Sequence, residues 1–310
     1  MVVLGIDIGG TSIKGALVNQ KGELGKSFSL PIDKNLDQKC QIESLISKIK
    51  ETYKNDEFEG IGLGIPGAID PSLGLVTFSN NLNWHNLNIR EMLENKFSNK
   101  KIMMDNDANV AAIGEATFGA AKNEKNVVLI TLGTGVGSGI IIDGKIYEGE
   151  HGRGAEIGHT VLVLDGIKCT CGRHGCFEMY ASATALIRQA NEAAKSRPNS
   201  RLAKAMMNGE LNGKVIFDTA KQGCKTAQKV IDNYVKYLSE GLINICNVFR
   251  PSSIVLSGGI AKEENYLLDK IIAYLEEHTY GYPPMAKVNI KCASLGYNSG
   301  IIGAASLLLR

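Results

Sequence analysis

Val127-Val-Leu-Ile-Thr131-Leu-Gly133-Thr134-Gly135-Val-Gly137-Ser-Gly139-Ile-Ile-Ile142-Asp-Gly144-Lys145 is the stretch on which the architecture turns. The run Gly133 to Gly139 has the glycine spacing of a dinucleotide-binding turn. That fingerprint needs a strand before it, a helix after it and an acidic residue about 20 positions further on. Here Ile140-Ile-Ile142 follows, β-branched throughout, and runs into an Asp-Gly turn. Those residues read as a second strand, so the glycines sit in a hairpin and the dinucleotide fold is disfavoured. Val2-Val-Leu-Gly-Ile-Asp-Ile-Gly9-Gly10-Thr11-Ser-Ile-Lys14-Gly-Ala-Leu-Val18 has the same order: apolar strand, Gly/Thr turn, apolar strand, then a turn with Lys21 and Gly22. This weak repeat predicts two domains of related design. Either hairpin alone is read as readily as a plain structural turn. Two of them can face each other across a cleft and cradle a polyphosphate through backbone amides and hydroxyls. A Walker-type Gly-Lys-Ser/Thr is read as absent, which excludes a P-loop mechanism.

Working outward, Leu24 to Leu30 continues the first meander, and Leu36 to Tyr53 has helical spacing with Ile42, Leu45, Ile46 and Ile49 on one face. Ile61 to Ile65 reads as a buried strand ended by Pro66-Gly67, Ile89 to Phe97 as a helix, Lys101 to Asp105 as a strand and Ala108 to Phe118 as a helix. Further helices are predicted over Ser182 to Ala194 and Lys225 to Phe249. The latter carries Val230, Tyr234, Leu238, Leu242, Ile245 and Phe249 on one core-facing stripe. A strand over Ser253 to Ser257 enters Gly258-Gly259. A helix, a strand near Lys287 to Cys292 and a last helix from Ile301 to Leu309 close the chain, with Tyr280 to Pro284 read as a loop.

A length of 310 residues favours two domains over one core. The formal charge of +2, from 34 basic and 32 acidic residues, gives no electrostatic case for nucleic acid or an anionic membrane as partner. No apolar run approaches the roughly 20 residues that span a bilayer. The odd cysteine total, and a strand beginning at Val2 without a signal peptide, point to a cytoplasmic rather than a secreted, oxidised protein.

Between Glu156 and Glu178 stand His159, Cys169, Cys171 and Cys176. Three thiolates and an imidazole form a closed tetrahedral zinc set, a structural site that leaves no position for water or substrate. The alternatives are disulfides or buried thiols; Cys40, Cys224, Cys246 and Cys292, scattered in apolar contexts, are read as buried thiols. The metal would brace the backbone around the two glutamates and aim them at a small molecule. Asp105-Asn106-Asp107-Ala108-Asn109 falls where a strand gives way to a helix. One of these residues is expected to cap the helix. So many polar side chains at a strand's C-terminal end exceed what capping requires, and there open sheets place their ligands.

Taken together, Asp7-Ile-Gly-Gly-Thr-Ser-Ile-Lys14, Asn106-Asp-Ala-Asn109, Leu132 to Gly139, Glu156-Ile-Gly-His159 and Cys169-Thr-Cys-Gly-Arg-His-Gly-Cys-Phe-Glu178 resemble the ROK family of repressors and sugar kinases. The resemblance runs from Asp7 to Gly303. It implies an α/β, actin-like ATPase (sugar kinase/hexokinase) fold of two α/β domains around a cleft. The domains are expected over residues 1–118, with the last helix (about 298–310) packing back on them, and over 119–297, with the zinc loop. It implies Asp107 as the catalytic base, and Gly67, Asn81, Asn106, Asp107, Glu156, His159 and Glu178 around the sugar. Asp7, Gly9, Gly10, Thr11, Lys14, Gly133, Thr134, Gly135, Gly137, Gly258 and Gly259 would form the ATP side. His159 would use one ring nitrogen for zinc and the other for the sugar. Mg2+ would accompany ATP, oriented by Asp7 and Asp107 through retained waters. Lys14 either reaches a phosphate or points to solvent.

Within the resemblance, ATP-dependent phosphorylation of glucose at its 6-hydroxyl is the first expectation, because the uninterrupted cysteine motif with Tyr180-Ala-Ser182 looks like the glucokinase branch. N-acetylmannosamine and N-acetylglucosamine kinases share the same ligands and stay open, and fructokinase is disfavoured. A sugar-responsive repressor would carry a helix-turn-helix domain ahead of Gly5-Ile-Asp7, and a silent sugar-binding protein would be expected to lack Asp107 or a glycine turn. A homodimer is compatible with the resemblance.

Overall fold

A computed structural model describes residues 1–282, 285 and 287–309. The chain divides into two compact units, one of residues 1–127, 139–155 and 294–310, the other of residues 128–138 and 156–293.

The first unit opens with β1 (Val2–Ile8), β2 (Ser12–Asn19) and β3 (Leu24–Pro31), then α1 (Gln38–Thr52) and β4 (Gly60–Ile65). β5 (Ala68–Asp70), β6 (Leu75–Ser79) and β7 (Trp84–Asn88) form a small antiparallel sheet, followed by α2 (Ile89–Glu94), β8 (Lys101–Asn106) and α3 (Asp107–Thr117). The main sheet runs β3-β2-β1-β4-β8; the β1–β2–β3 meander is antiparallel, whereas β4 and β8 join β1 in parallel. Every residue of β4 is buried, as expected of a central parallel strand. The predicted stripe of α1, Ile42, Leu45, Ile46 and Ile49, lies in the core with Trp84, whose indole donates to Gln41 Oε1 at 2.9 Å. Burying one such aliphatic side chain contributes about 1.5–3 kcal/mol.

Gly25-Lys26-Ser27, a fragment of the Walker sequence that reading from the glycine turns passes over, lies inside β3 rather than in a loop. Lys26 Nζ there pairs with Asp56 Oδ2 at 2.9 Å.

β9 (Val127–Leu132), β10 (Val136–Ile142) and β11 (Lys145–Ile146) form the second meander. α4 (Glu178–Ala181), α5 (Ala183–Ser196), α6 (Arg201–Met207), α7 (Gly213–Lys221) and the long α8 (Lys225–Phe249) follow. Then come β12 (Ser253–Ser257), α9 (Glu264–His278), β13 (Asn289–Cys292) and α10 (Ser299–Leu309). A five-stranded sheet runs β11-β10-β9-β12-β13. The α8 stripe is buried from Val230 to Ile245, with Phe249 half-buried at the end.

Residues 119–127 and 139–155, assigned by sequence to the second domain, cluster with the first unit. Two glycines let them lie flush there. A Cβ on Gly139 would stand 2.6 Å from Ala108 O, and one on Gly152 would stand 2.0 Å from Ile69 O. α10 also belongs to this unit, with Ile301 and Ala305 packed on Val3, Ala16 and Val18.

Other readings shift at the edges. α2 stops at Asn95, short of Phe97, where the chain turns polar. Cys224 and Cys246 are buried, but Cys40 and Cys292 only half-buried. Pro283 and Pro284 of the Tyr280–Pro284 loop reading, and Arg310 at the end of the last helix, lie outside the described residues. Among the described residues no helix is long and apolar enough to cross a membrane.

Candidate active site

In the first unit the site grows from the C-terminal ends of the parallel strands. The register pairs Asp7 with Gly64 and Gly64 with Asp105, so all three stand in one row across β1, β4 and β8. Across the antiparallel hairpin Asp7 pairs with Lys14, which is exposed. Burial, and then the neighbouring Asp107, push the Asp7 carboxyl up to about 6, while Lys14 pulls the other way. A Cβ on Gly300 would stand 2.5 Å from Asp7 Cγ, so only glycine lets this carboxylate rest on the first turn of α10. Unpaired amides and the helix dipole favour negative charge there.

Asp107 is the first residue of α3. Its Oδ1 accepts from Ala108 N at 2.9 Å, and burial raises its carboxyl above the usual range. Asn106 is the cap anticipated from sequence: its Oδ1 also accepts from Ala108 N, while its Nδ2 donates to Gly67 O at 3.0 Å. A cap of this kind is worth about 1 kcal/mol. Asn106, Asp107 and Gly67 are thereby brought together. Asn81 borders Gly10, whose Cβ position lies 3.7 Å from Asn81 Cβ. Gly9 N donates to Ser12 O at 2.9 Å, closing the turn that exposes Thr11.

In the second unit His159, Cys169, Cys171 and Cys176 converge, their ligand atoms all within 4.8 Å of one another. Cys171 Sγ and Cys176 Sγ are 3.6 Å apart, and Cys169 Sγ is 3.7 Å from His159 Nδ1. A tetrahedron with metal–sulfur bonds of about 2.3 Å has edges of about 3.8 Å, so the set fits zinc. Burial pushes the Cys169 thiol up to about 12 and raises Cys176, so a cation is needed to hold both as thiolates. With Nδ1 turned toward the cysteines, Nε2 is the nitrogen left for another partner.

Glu178 starts α4 directly beside this cluster. Its Oε1 accepts from Cys169 Sγ at 3.0 Å and lies 3.6 Å from His159 Nδ1. The glycine turn comes to the same carboxylate, since a Cβ on Gly135 would stand 2.6 Å from Glu178 Oε2. Gly133 N donates to Gly135 O at 3.1 Å, Gly137 N to Thr131 Oγ1 at 3.0 Å, and Ala183 N to Gly133 O at 2.8 Å. Thr134 is exposed at the tip. Glu156, also exposed, precedes the turn over Ile157–His159, which Ser138 Oγ holds by accepting from Ile157 N at 3.2 Å. Gly258 and Gly259 are exposed after β12.

Sequence reasoning gave no role to Gly300, because nothing in a run of small residues tells which one faces a carboxylate. It quoted Asp105 with its neighbours and assigned it nothing.

Parallel strands flanked by an antiparallel hairpin, in a mixed α/β chain with several sheets, define the actin-like ATPase fold of sugar kinases. The chain belongs to the ROK family, whose model matches residues 3–310. It is 36% identical over 313 residues to a glucokinase of Halalkalibacterium halodurans, covering 98% of this chain and 94% of that protein. A crystal structure of a ROK family glucokinase from Streptomyces griseus, in complex with glucose and AMPPNP, superposes with a TM-score of 0.84. It has 30% sequence identity over 99% of both chains. The xylose repressor of Bacillus spizizenii is 30% identical over 99% of this chain and 77% of its own length.

Proposed function

We propose that this chain is a ROK-type glucokinase, transferring the γ-phosphoryl group of ATP to the 6-hydroxyl of glucose with Asp107 as general base. The observation that carries the reading is Asp107 at the exposed head of α3, its carboxyl raised by desolvation, beside Asp7 and one residue from an Asn106 tied to Gly67. The glucokinase relatives support the sugar. Asp107 accepts the hydroxyl proton as the sugar oxygen bonds to the γ-phosphorus, and the bond to the departing ADP breaks. Asn106, Gly67, Asn81, Glu156, His159 Nε2 and Glu178 hold the hydroxyls. A site built to pair sugar hydroxyls rejects mismatched sugars, because its own buried polar groups would lose their partners.

Asp7, Gly9, Gly10, Thr11 and Lys14, with Gly133 to Gly137, Gly258 and Gly259, serve the nucleotide through backbone amides and one cation. Magnesium on the phosphates would offset charge that builds up in the transfer. Asp7 and Asp107 are suited to orient it through its waters. Zinc held by His159, Cys169, Cys171 and Cys176 would fix the loop that presents Glu178.

A second reading, a sugar-responsive protein without catalysis, draws support from the repressor relative. The deciding experiment is coupled ADP release with glucose, mannose, fructose, N-acetylglucosamine and N-acetylmannosamine, alongside calorimetric binding of each sugar. Turnover of glucose, lost in Asp107→Ala, is expected; sugar binding without any turnover would favour the second reading.

A further inference from the structure

Asp105 is a carboxylate only 2% exposed, in the row Asp7–Gly64–Asp105. A Cβ on Gly64 would meet Val110 Cγ1 at 3.1 Å, so this row faces α3. Burying a carboxylate there carries a desolvation cost that an apolar residue would avoid. The return is specific. One oxygen, Oδ1, accepts both from Asn106 N at 2.6 Å and from Asn109 Nδ2 at 2.9 Å.

Helix capping does not account for these bonds. Ala108 N already donates to the Asn106 and Asp107 side chains. Asp105 instead grips the junction from the strand side: it fixes the Asn106 amide before the helix begins and ties it to Asn109 within α3. Asn106, held in front by Asp105, is held to the side by Gly67 O. Asp107 is thereby flanked by fixed points: Asn106 N and Asn109 Nδ2 on Asp105, and Ala108 N on the Asn106 and Asp107 side chains. The charged group facing Asp105 from another segment is Glu148, between β11 and the turn at Glu150–Gly152, and it is of like sign. Asp105 is thus held by its two donors and not by an ion pair.

We propose that Asp105 is a positioning residue that aims Asp107 by clamping Asn106 N and Asn109 Nδ2 on a single oxygen. The catalytic half of this inference rests on the kinase reading above; the clamp itself does not. The role asks for an oxygen acceptor of the right length, not for a charge, so asparagine should serve nearly as well as aspartate.

The test compares Asp105→Asn, Asp105→Ala and Asn109→Ala with the wild type in two measurements. Hydrogen exchange of the first turn of α3 reads the clamp without assuming any activity. Steady-state kinetics reads its consequence. In Asp105→Ala the first-turn amides should exchange at least about 10-fold faster, as local opening becomes easier. Its kcat should fall about 100-fold, the scale expected when a reacting group is displaced by about 1 Å. The KM for ATP should stay within about twofold, because uniform binding is untouched. Asp105→Asn should restore both readouts to within a few-fold. Asn109→Ala, which removes one donor, should fall between them and keeps the test alive if Asp105→Ala does not fold. Unchanged exchange in Asp105→Ala and Asn109→Ala would overturn the clamp. An active wild type whose kcat survives either substitution would overturn the positioning role, as would an Asp105→Asn variant no better than Asp105→Ala. A wild type inactive on every sugar, with exchange altered as expected, would count against the kinase reading alone and leave the clamp standing.

Discussion

At the scale of single residues, the site rests on what a missing side chain allows. Gly135 leaves room for Glu178. Gly135→Ala puts a methyl group 2.6 Å from where Glu178 Oε2 lies, and the glutamate, being the flexible partner, must swing away. The expected result is a sugar KM raised about 10-fold, one lost polar contact of about 1.4 kcal/mol, with thermal stability nearly unchanged. A sugar titration beside a melting curve checks it; a lower melting temperature with an unaltered sugar KM would refute it. Gly300→Ala should differ, because the half-buried Asp7 is a short side chain lying against the helix turn, 2.5 Å from the added methyl, and can swing less than a glutamate. Here the KM for ATP and kcat should both suffer, at unchanged sugar binding measured by calorimetry.

At the scale of elements, the loop of three cysteines and a histidine is the part most plainly written in the sequence. Thiols and an imidazole at that spacing have few other uses, and all four predicted ligands converge. Chelation that removes a single zinc per chain, verified by elemental analysis, should raise the sugar KM several-fold before it alters the KM for ATP, because Glu178 begins where the cluster ends. Loss of metal with no change in the sugar KM would separate the loop from the sugar. Long elements were legible for a similar reason. α8 runs from Lys225 to Phe249 as its 3.6-residue stripe foretold. The small sheet over residues 68–88 was not legible: its strands are short, and Asn83 and Asn86 turn the chain in left-handed conformations that no apolar period announces. α6 and α7 were missed as well, since seven and nine residues make too few turns for periodicity and their caps, Ser200 and Asn212, are individually common residues.

At the scale of the whole molecule, the repeat of two meanders was legible, but the course of the chain between the units was not. Backbone-level contacts at Gly139 and Gly152 decide it, and they leave no mark beyond a glycine. The carboxyls raised by desolvation give a global signature in pH. A group whose folded pKa is raised binds its proton more tightly in the folded protein, so its contribution to stability falls as pH rises from about 4 through about 6. Asp7→Asn should therefore gain on the wild type, by at most about 3 kcal/mol, between pH 4 and pH 7.5. Urea midpoints at the two values measure it, and an equal offset at both would show Asp7 to be unshifted. On the proposed kinase reading activity moves oppositely, since the base must be ionised: kcat/KM should rise along an acidic limb shifted above the usual carboxylate range, because desolvation raises both the Asp7 and the Asp107 carboxyls.

The return of α10 to the first unit has a consequence for biosynthesis. The strands it covers, β1 and β2, leave the ribosome before every other element of this fold, whereas Ile301 and Ala305, which bury Val3, Ala16 and Val18, follow only in its last helix. The unit begun first is completed last. Nascent chains halted before residue 299 should expose that apolar face to chaperones and proteases, and deleting the eleven residues of α10 should act as a lesion in β1 and β2, nearly three hundred residues away in sequence.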